Sequence, residues 1–221
     1  MEPKRITILT GHYGSGKTNI AVNYAKQLAA QGKPVVVADL DIVNPYFRTA
    51  DSKKDLEQHG IELICSAFAN SNVDLPALPK ELYAATENPD RYAVLDVGGD
   101  DRGAVALGRY VPAIRAENNY EMAFVVNFYR PLTTTPQDVL TVLGEVEAAC
   151  GLPCTGLINN SNLGAQTTAG DVLATVERMR ELSDLCGLPV LMTTVVQTIA
   201  AQLAGAVPNI NGIQLQSERI A

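Results

Sequence analysis

Apolar residues along this chain gather into short β-branched runs, separated by longer stretches in which they recur every three to four positions. The short runs fall at residues 5–10, 34–40, 61–66, 92–96, 122–127, 155–159 and 189–194. Several are apolar throughout, as expected of strands covered on both faces of a parallel sheet. In the first intervening stretch Ala21, Tyr24, Ala25, Leu28 and Ala29 share one helical face, and Gly32 supplies a stop signal. Further helices are expected at about 103–115, 136–149 and 170–185. Such alternation predicts an α/β fold, a doubly wound and mostly parallel sheet flanked by helices.

Punctuation supports the same division. The phrase Cys-Gly-Leu-Pro occurs at 150–153 and again at 186–189. Gly151 and Gly187 would take the left-handed position after a helix, and the following proline blocks its continuation. A long loop is expected at 67–79, with two prolines and several Asn and Ser. The tail from residue 195 has no clear pattern and either covers a ligand or packs as a final helix. No linker divides the 221 residues, so a single domain spanning 1–221 is expected.

Composition narrows the function classes. Apolar residues make up 47% and charged residues 19%, and the net charge is −7. A chain this acidic is poorly suited to non-specific attraction to nucleic acid or anionic membranes, so neither is expected as a partner. No apolar run approaches the ~20 residues of a membrane span, and the N-terminus lacks a signal-peptide layout. A cytoplasmic location is expected. Cys65, Cys150, Cys154 and Cys186 form no Cys-x-x-Cys pair and read as reduced thiols.

One motif decides the chemistry. Gly11-His12-Tyr13-Gly14-Ser15-Gly16-Lys17-Thr18 matches Gly-x-x-x-x-Gly-Lys-Thr in full, with an apolar strand before it and an amphipathic helix after it. Glycines let the backbone curl so that successive N–H groups face phosphate oxygens, and the helix N-terminus adds its partial positive charge. Lys17 reaches the β- and γ-phosphates, and the Thr18 hydroxyl is placed to ligate Mg²⁺. Gly11, Tyr13, Gly14, Ser15, Gly16, Lys17, Thr18 and Asn19 are thus the expected nucleotide contacts. Two carboxylate clusters stand at strand ends, the face where open α/β sheets bind ligands. Asp96 is the candidate to hold Mg²⁺ through a water, and Asp41 to orient the water that attacks the γ-phosphate. Asp39 reads equally as a turn cap or as a metal ligand.

The P-loop, Asp39-Leu40-Asp41-Ile42 and the late Gly156-Leu157-Ile158-Asn159-Asn160-Ser161 together resemble the MinD/ParA/CobQ-type ATPases, which include the nitrogenase iron protein. The resemblance runs in order over about residues 6–162. It implies ATP and Mg²⁺ as cofactors, and in many members a homodimer with two ATP molecules between the subunits. It also implies a water-positioning role for Asp41 and an adenine-reading role for Asn160, with Asn159 as the fallback. Where many MinD-type members carry a signature lysine in a Lys-Gly-Gly phrase, this chain reads His12-Tyr13-Gly14. The iron–sulfur Cys-x-x-Cys, the basic C-terminal helix of membrane-cycling members and the Asn-Lys-x-Asp phrase of GTPases are all missing from the sequence.

Two functions fit these residues. One is a Mg²⁺-dependent ATPase that works as a nucleotide-dependent switch on a partner protein, with the glycine-rich run 98–103 and the segment Asn44-Pro45-Tyr46-Phe47-Arg48 as switch regions. The other is an ATP-dependent enzyme on a small-molecule substrate, a kinase-like transferase or an amide-forming ligase like those beside CobQ and dethiobiotin synthetase. On the phosphate face, Arg48 would pair with a phosphate or an acidic substrate group, and Tyr129 and Arg130 would line a substrate or partner pocket.

Overall fold

The computed structural model describes residues 3–40, 52–65, 88–99 and 101–215. Among them are eight strands: β1 (Ile6–Thr10), β2 (Val35–Asp39), β3 (Glu62–Cys65), β4 (Tyr92–Asp96), β5 (Tyr120–Val126), β6 (Gly156–Asn159), β7 (Val190–Val196) and β8 (Ile210–Ile213). They join in one sheet, in the order β3-β2-β4-β1-β5-β6-β7-β8, with every pairing parallel. The sheet runs outward from β1 in both directions, so the strand order reverses at the P-loop strand. That reversal opens a crevice at the carboxyl ends of the strands.

Side-chain alternation sends each central strand into two cores. Ile6, Ile8, Val36, Ala38, Leu95, Phe124 and Val126 enter one cluster. Their neighbours Leu9, Val35, Val37, Val94, Ala123 and Val125 enter the other. The first cluster is closed by α3 (Asp101–Gly108), α4 (Val111–Glu117), α5 (Pro136–Cys150) and α6 (Ala169–Cys186), through residues such as Leu107, Ile114, Val139 and Met179. The second is closed by α1 (Lys17–Ala30), with Ile20, Ala21, Ala25 and Leu28, and by Leu56 of α2 (Lys53–Gln58). Burial on both faces explains why these strands read as continuous apolar runs.

Three elements differ from the expectation. The helix expected at 103–115 is two helices, with the break at Arg109 and Tyr110. Pro112 is the cause: it has no N–H and would clash with the preceding turn, so the helix restarts with proline in its first turn. The tail holds the helix offered for it, α7 (Gln197–Leu203), but also an unexpected edge strand, β8, whose short Ile-Asn-Gly-Ile sequence carries little strand signal. The polar six-residue α2 was likewise not expected. Elsewhere the seven expected strands are present, with ends shifted by about two residues at most.

Helix ends follow local chemistry. Thr135 and Thr168 each form a capping box with the aspartate three residues on, Asp138 and Asp171. Gly151 (φ 71°) and Gly187 (φ 72°) close α5 and α6 in the left-handed conformation, as the repeated Cys-Gly-Leu-Pro phrase required. The four cysteines are reduced thiols, in no disulfide; burial, with Glu147 nearby, pushes the Cys154 thiol far up. Among the described residues no helix is long and apolar enough to cross a membrane.

Candidate nucleotide-binding site

Strand β1 delivers the chain to Gly11, where φ is 140° and a Cβ would run into the carbonyl of Val125 on β5. Gly14 (φ 75°) and Gly16 (φ 90°) complete the curl, and the turn is held by the Ser15 amide donating to the His12 carbonyl at 3.1 Å. Gly16 caps α1 without a side-chain hydrogen bond, and no acidic residue occupies the first turn. The 14-residue helix therefore presents its N-terminal amides to the crevice with no acidic side chain of its own in the way.

Lys17 is buried and folds back over the loop, its Nζ donating to the carbonyls of Gly11 (2.9 Å) and His12 (3.3 Å). Thr18 Oγ1 donates to Asp96 Oδ2 at 2.7 Å, and Asp96 is fully buried at the end of β4. Asp39 is its register partner on β2 and is also buried, so two carboxylates stand side by side beneath the P-loop. Beyond Asp96 the chain passes backbone to backbone against the loop, since a Cβ at Gly99 would overlap the Gly11 carbonyl.

On the other side of β1 two polar side chains brace the P-loop. Asn160 Nδ2 donates to the Ser15 carbonyl at 2.7 Å, while its Oδ1 accepts from Thr194 Oγ1 at 2.8 Å. Arg130 Nε donates to the Gly14 carbonyl at 2.9 Å. A cavity of about 340 Å³ opens between these groups and is lined by P-loop residues, by Arg130, Asn160 and Asn162, and by the ends of β7 and β8.

The described site brings together most of the residues expected from sequence. Tyr13, Gly14, Gly16, Lys17, Thr18, Asn19 and Asn160 line the cavity, and Asp96 touches it through Thr18. Tyr129 is directed away, its hydroxyl donating to the Asp171 carbonyl on α6. Asn159 bonds Thr175 on α6 and stands outside the cavity lining. Asp41, the segment Asn44-Pro45-Tyr46-Phe47-Arg48, the loop expected at 67–79 and Asp100 lie outside the described residues. Not anticipated from sequence were Asn162, Thr194, Ile213 and Leu215. Thr194 ends a strand on the ligand-binding face, which is a readable signal. Ile213 and Leu215 gave none.

The donor set fits a phosphate chain and a hard divalent cation. Ser15 Oγ is buried and has no hydrogen-bond partner among the described residues, within a loop whose amides curl inward. No group of three or more His, Cys, Asp or Glu side chains converges as a self-contained metal cluster among the described residues. A threonine hydroxyl beside one or two carboxylates instead suits Mg²⁺, which takes its remaining ligands from water and phosphate.

The model of the CobQ/CobB/MinD/ParA nucleotide-binding domain matches residues 6–209. The chain belongs to that family. Among curated proteins no sequence matches the chain significantly. Solved structures with the same fold include the cell division protein FtsY of Thermotoga maritima, at 20% identity and a TM-score of 0.61, covering 88% of this chain and 62% of that one. The signal recognition particle receptor FtsY of Elizabethkingia anophelis, solved with GDP, is 16% identical at a TM-score of 0.53, covering 99% and 62%. The signal recognition particle 54 kDa protein of Aeropyrum pernix, also with GDP, is 15% identical at 0.52, covering 87% and 41%. At these identities the likeness is one of fold. The chain spans about three-fifths of the length of the FtsY structures it matches.

Proposed function

We propose that this chain is a Mg²⁺-dependent ATPase that works as a nucleotide-dependent switch. The observation that carries the reading is the Thr18–Asp96 hydrogen bond, together with the Gly99 backbone packed on Gly11. Through these contacts the phosphate-binding loop is joined directly to the segment leaving β4. A change in what Thr18 and the loop hold is therefore felt by residues 97–103. Gly98, Gly99 and Gly103 allow that segment to rearrange.

Each residue has a task in this scheme. The loop amides and the α1 N-terminus bind phosphate oxygens. Lys17 exchanges its bonds to the Gly11 and His12 carbonyls for bonds to phosphate, so the loop is held by the lysine until ligand arrives. Thr18 would hold Mg²⁺ directly and Asp96 through a water, with Asp39 alongside; bound Mg²⁺ would neutralise charge on the phosphate oxygens. Asp41, two residues past the end of β2, orients the attacking water.

Adenine is favoured by the state of Asn160. Its amide is fixed in orientation by Ser15 and Thr194, which use one N–H and one oxygen lone pair. One donor and one acceptor are left, the complement of adenine N7 and N6, whereas the same edge of guanine offers two acceptors. The GDP in the FtsY and 54 kDa structures belongs to those proteins, whose likeness to this chain is in fold.

The test is amide hydrogen exchange across residues 97–103 of the purified protein with Mg²⁺ and ADP, ATP or no nucleotide, alongside solution mass. Asp41→Ala serves as a hydrolysis-trapped form and Lys17→Ala as a binding-dead control. The switch reading expects a difference between the ADP and ATP states that Lys17→Ala abolishes. Identical exchange and mass in both states, with ATP bound, would exclude the switch and leave the small-molecule enzyme to be pursued with acceptor substrates.

A further inference from the structure

We propose that Arg130 is the planar wall of the nucleoside half of the site, its guanidinium lying against the purine ring of the bound nucleotide. The inference rests on the nucleotide-binding reading above. Arg130 follows β5 and lies along Gly14, where a Cβ on the glycine would be 3.3 Å from Arg130 Nε and 3.6 Å from Cζ. Its Nε is committed to the Gly14 carbonyl at 2.9 Å, which sets the plane of the group. Nη1 and Nη2 meet no hydrogen-bond or ion-pair partner among the described residues, and the side chain is exposed on the cavity lining.

Sheet order decides which part of the ligand it faces. Across the crevice the site residues run from Asp96 on β4, through the P-loop after β1, to Arg130 after β5, Asn160 after β6 and Ile213 on β8. The phosphate and cation end is fixed by Thr18 and Asp96, on the β4 side of the P-loop. A ligand anchored there extends toward β8, and Arg130 stands past the loop on that path, next to Asn160. Across the cavity stand the apolar side chains of Val196, Ile213 and Leu215. Among the described residues Tyr13, in the phosphate-binding loop, is the one aromatic that lines the cavity. Beyond that loop the guanidinium of Arg130 offers a flat face to a base, and it stacks on π-systems as a lysine ammonium does not.

Binding of ATP, ADP and inorganic tripolyphosphate, each with Mg²⁺, would be measured by calorimetry on wild type, Arg130→Ala, Arg130→Lys and Lys17→Ala. Arg130→Ala is expected to weaken ATP and ADP by the same factor, about tenfold. Tripolyphosphate binding is expected to stay within about twofold, and Arg130→Lys to recover little of the loss, because the planar stack is missing. A loss that grows with phosphate number and is rescued by lysine would overturn the proposal and make Arg130 a phosphate contact. Unchanged binding of all three ligands by Arg130→Ala would overturn it as well, leaving the nucleotide reading intact. Failure of wild type to bind ATP or ADP would bring down both. Unfolding of Arg130→Ala without ligand controls for structure, since only one exposed hydrogen bond is lost.

Discussion

At the scale of single residues, the P-loop is held in shape before any ligand arrives, and each brace has a measurable worth. Lys17 Nζ bridges two loop carbonyls, and the same atom is the site's central cation. Lys17→Ala is expected to weaken nucleotide binding more than about a hundredfold, since two charge-assisted hydrogen bonds to phosphate are lost at about 1.5–3 kcal/mol each, as read by calorimetry. Thr18→Ala removes the hydroxyl that donates to the fully buried Asp96. Denaturant unfolding without nucleotide should then fall by about 1.5–3 kcal/mol, whereas Thr18→Ser should retain most of the stability. A result with Ala and Ser equally stable would mean that the bond contributes nothing to the fold.

The elements show where sequence carries structural information and where it does not. Strands β2, β4, β5 and β6 were legible because burial on both faces gives each an apolar run, and β1 and β7 through their β-branched residues, threonines included. The P-loop was legible because its glycines are each demanded by a positive φ or a close approach, as at Gly11 against Val125. What stayed hidden is set by contacts distant in sequence. Ile210–Ile213 is a strand only because β7 pairs with it, and its Asn and Gly carry no periodic signal. Likewise Asn160 was legible as a site residue, but its brace on Ser15 depends on a partner 145 positions away. The capping boxes belong to this scale too. Thr168→Ala should lower stability by about 1 kcal/mol through the lost α6 cap, measured by chemical denaturation.

Asp138 and Asp171 accept hydrogen bonds from the cap threonines, Thr135 and Thr168, which hold both carboxyls below their usual range. A depressed folded-state value means that the unfolded chain binds protons more readily. The contribution of each box is therefore complete above the ordinary aspartate value of ~4 and is lost as pH falls through the depressed folded values. An acid titration of unfolding should be shallower in the Thr135→Ala, Thr168→Ala double variant than in wild type. Equal slopes would show that the boxes play no part in acid sensitivity.

For the whole molecule, the sheet order converts a linear chain into a graded crevice, from carboxylates at β4 to apolar side chains at β8. Nucleotide held along that gradient binds only the folded state, so it must stabilise the fold. At a free ATP concentration one hundred times its dissociation constant, unfolding should become harder by about 2.7 kcal/mol. Differential scanning calorimetry with Mg²⁺ checks this, and Lys17→Ala should show almost no shift. The net charge of −7 leaves long-range attraction to polyanions weak, so ligand capture depends on the local field of the α1 N-terminus and Lys17.

The far wall of the cavity is tied down by Asn23 of α1, whose side chain grips the Gln214 amide (2.9 Å) and carbonyl (2.8 Å) across 191 positions of sequence. During synthesis this wall is therefore among the last parts of the site to exist. A nascent chain that has emerged only as far as residue 209 already contains the P-loop, Asp96, Arg130 and Asn160, yet lacks Ile213 and Leu215. Any contribution of this wall to holding ligand therefore comes only after the P-loop, Asp96, Arg130 and Asn160 have been made.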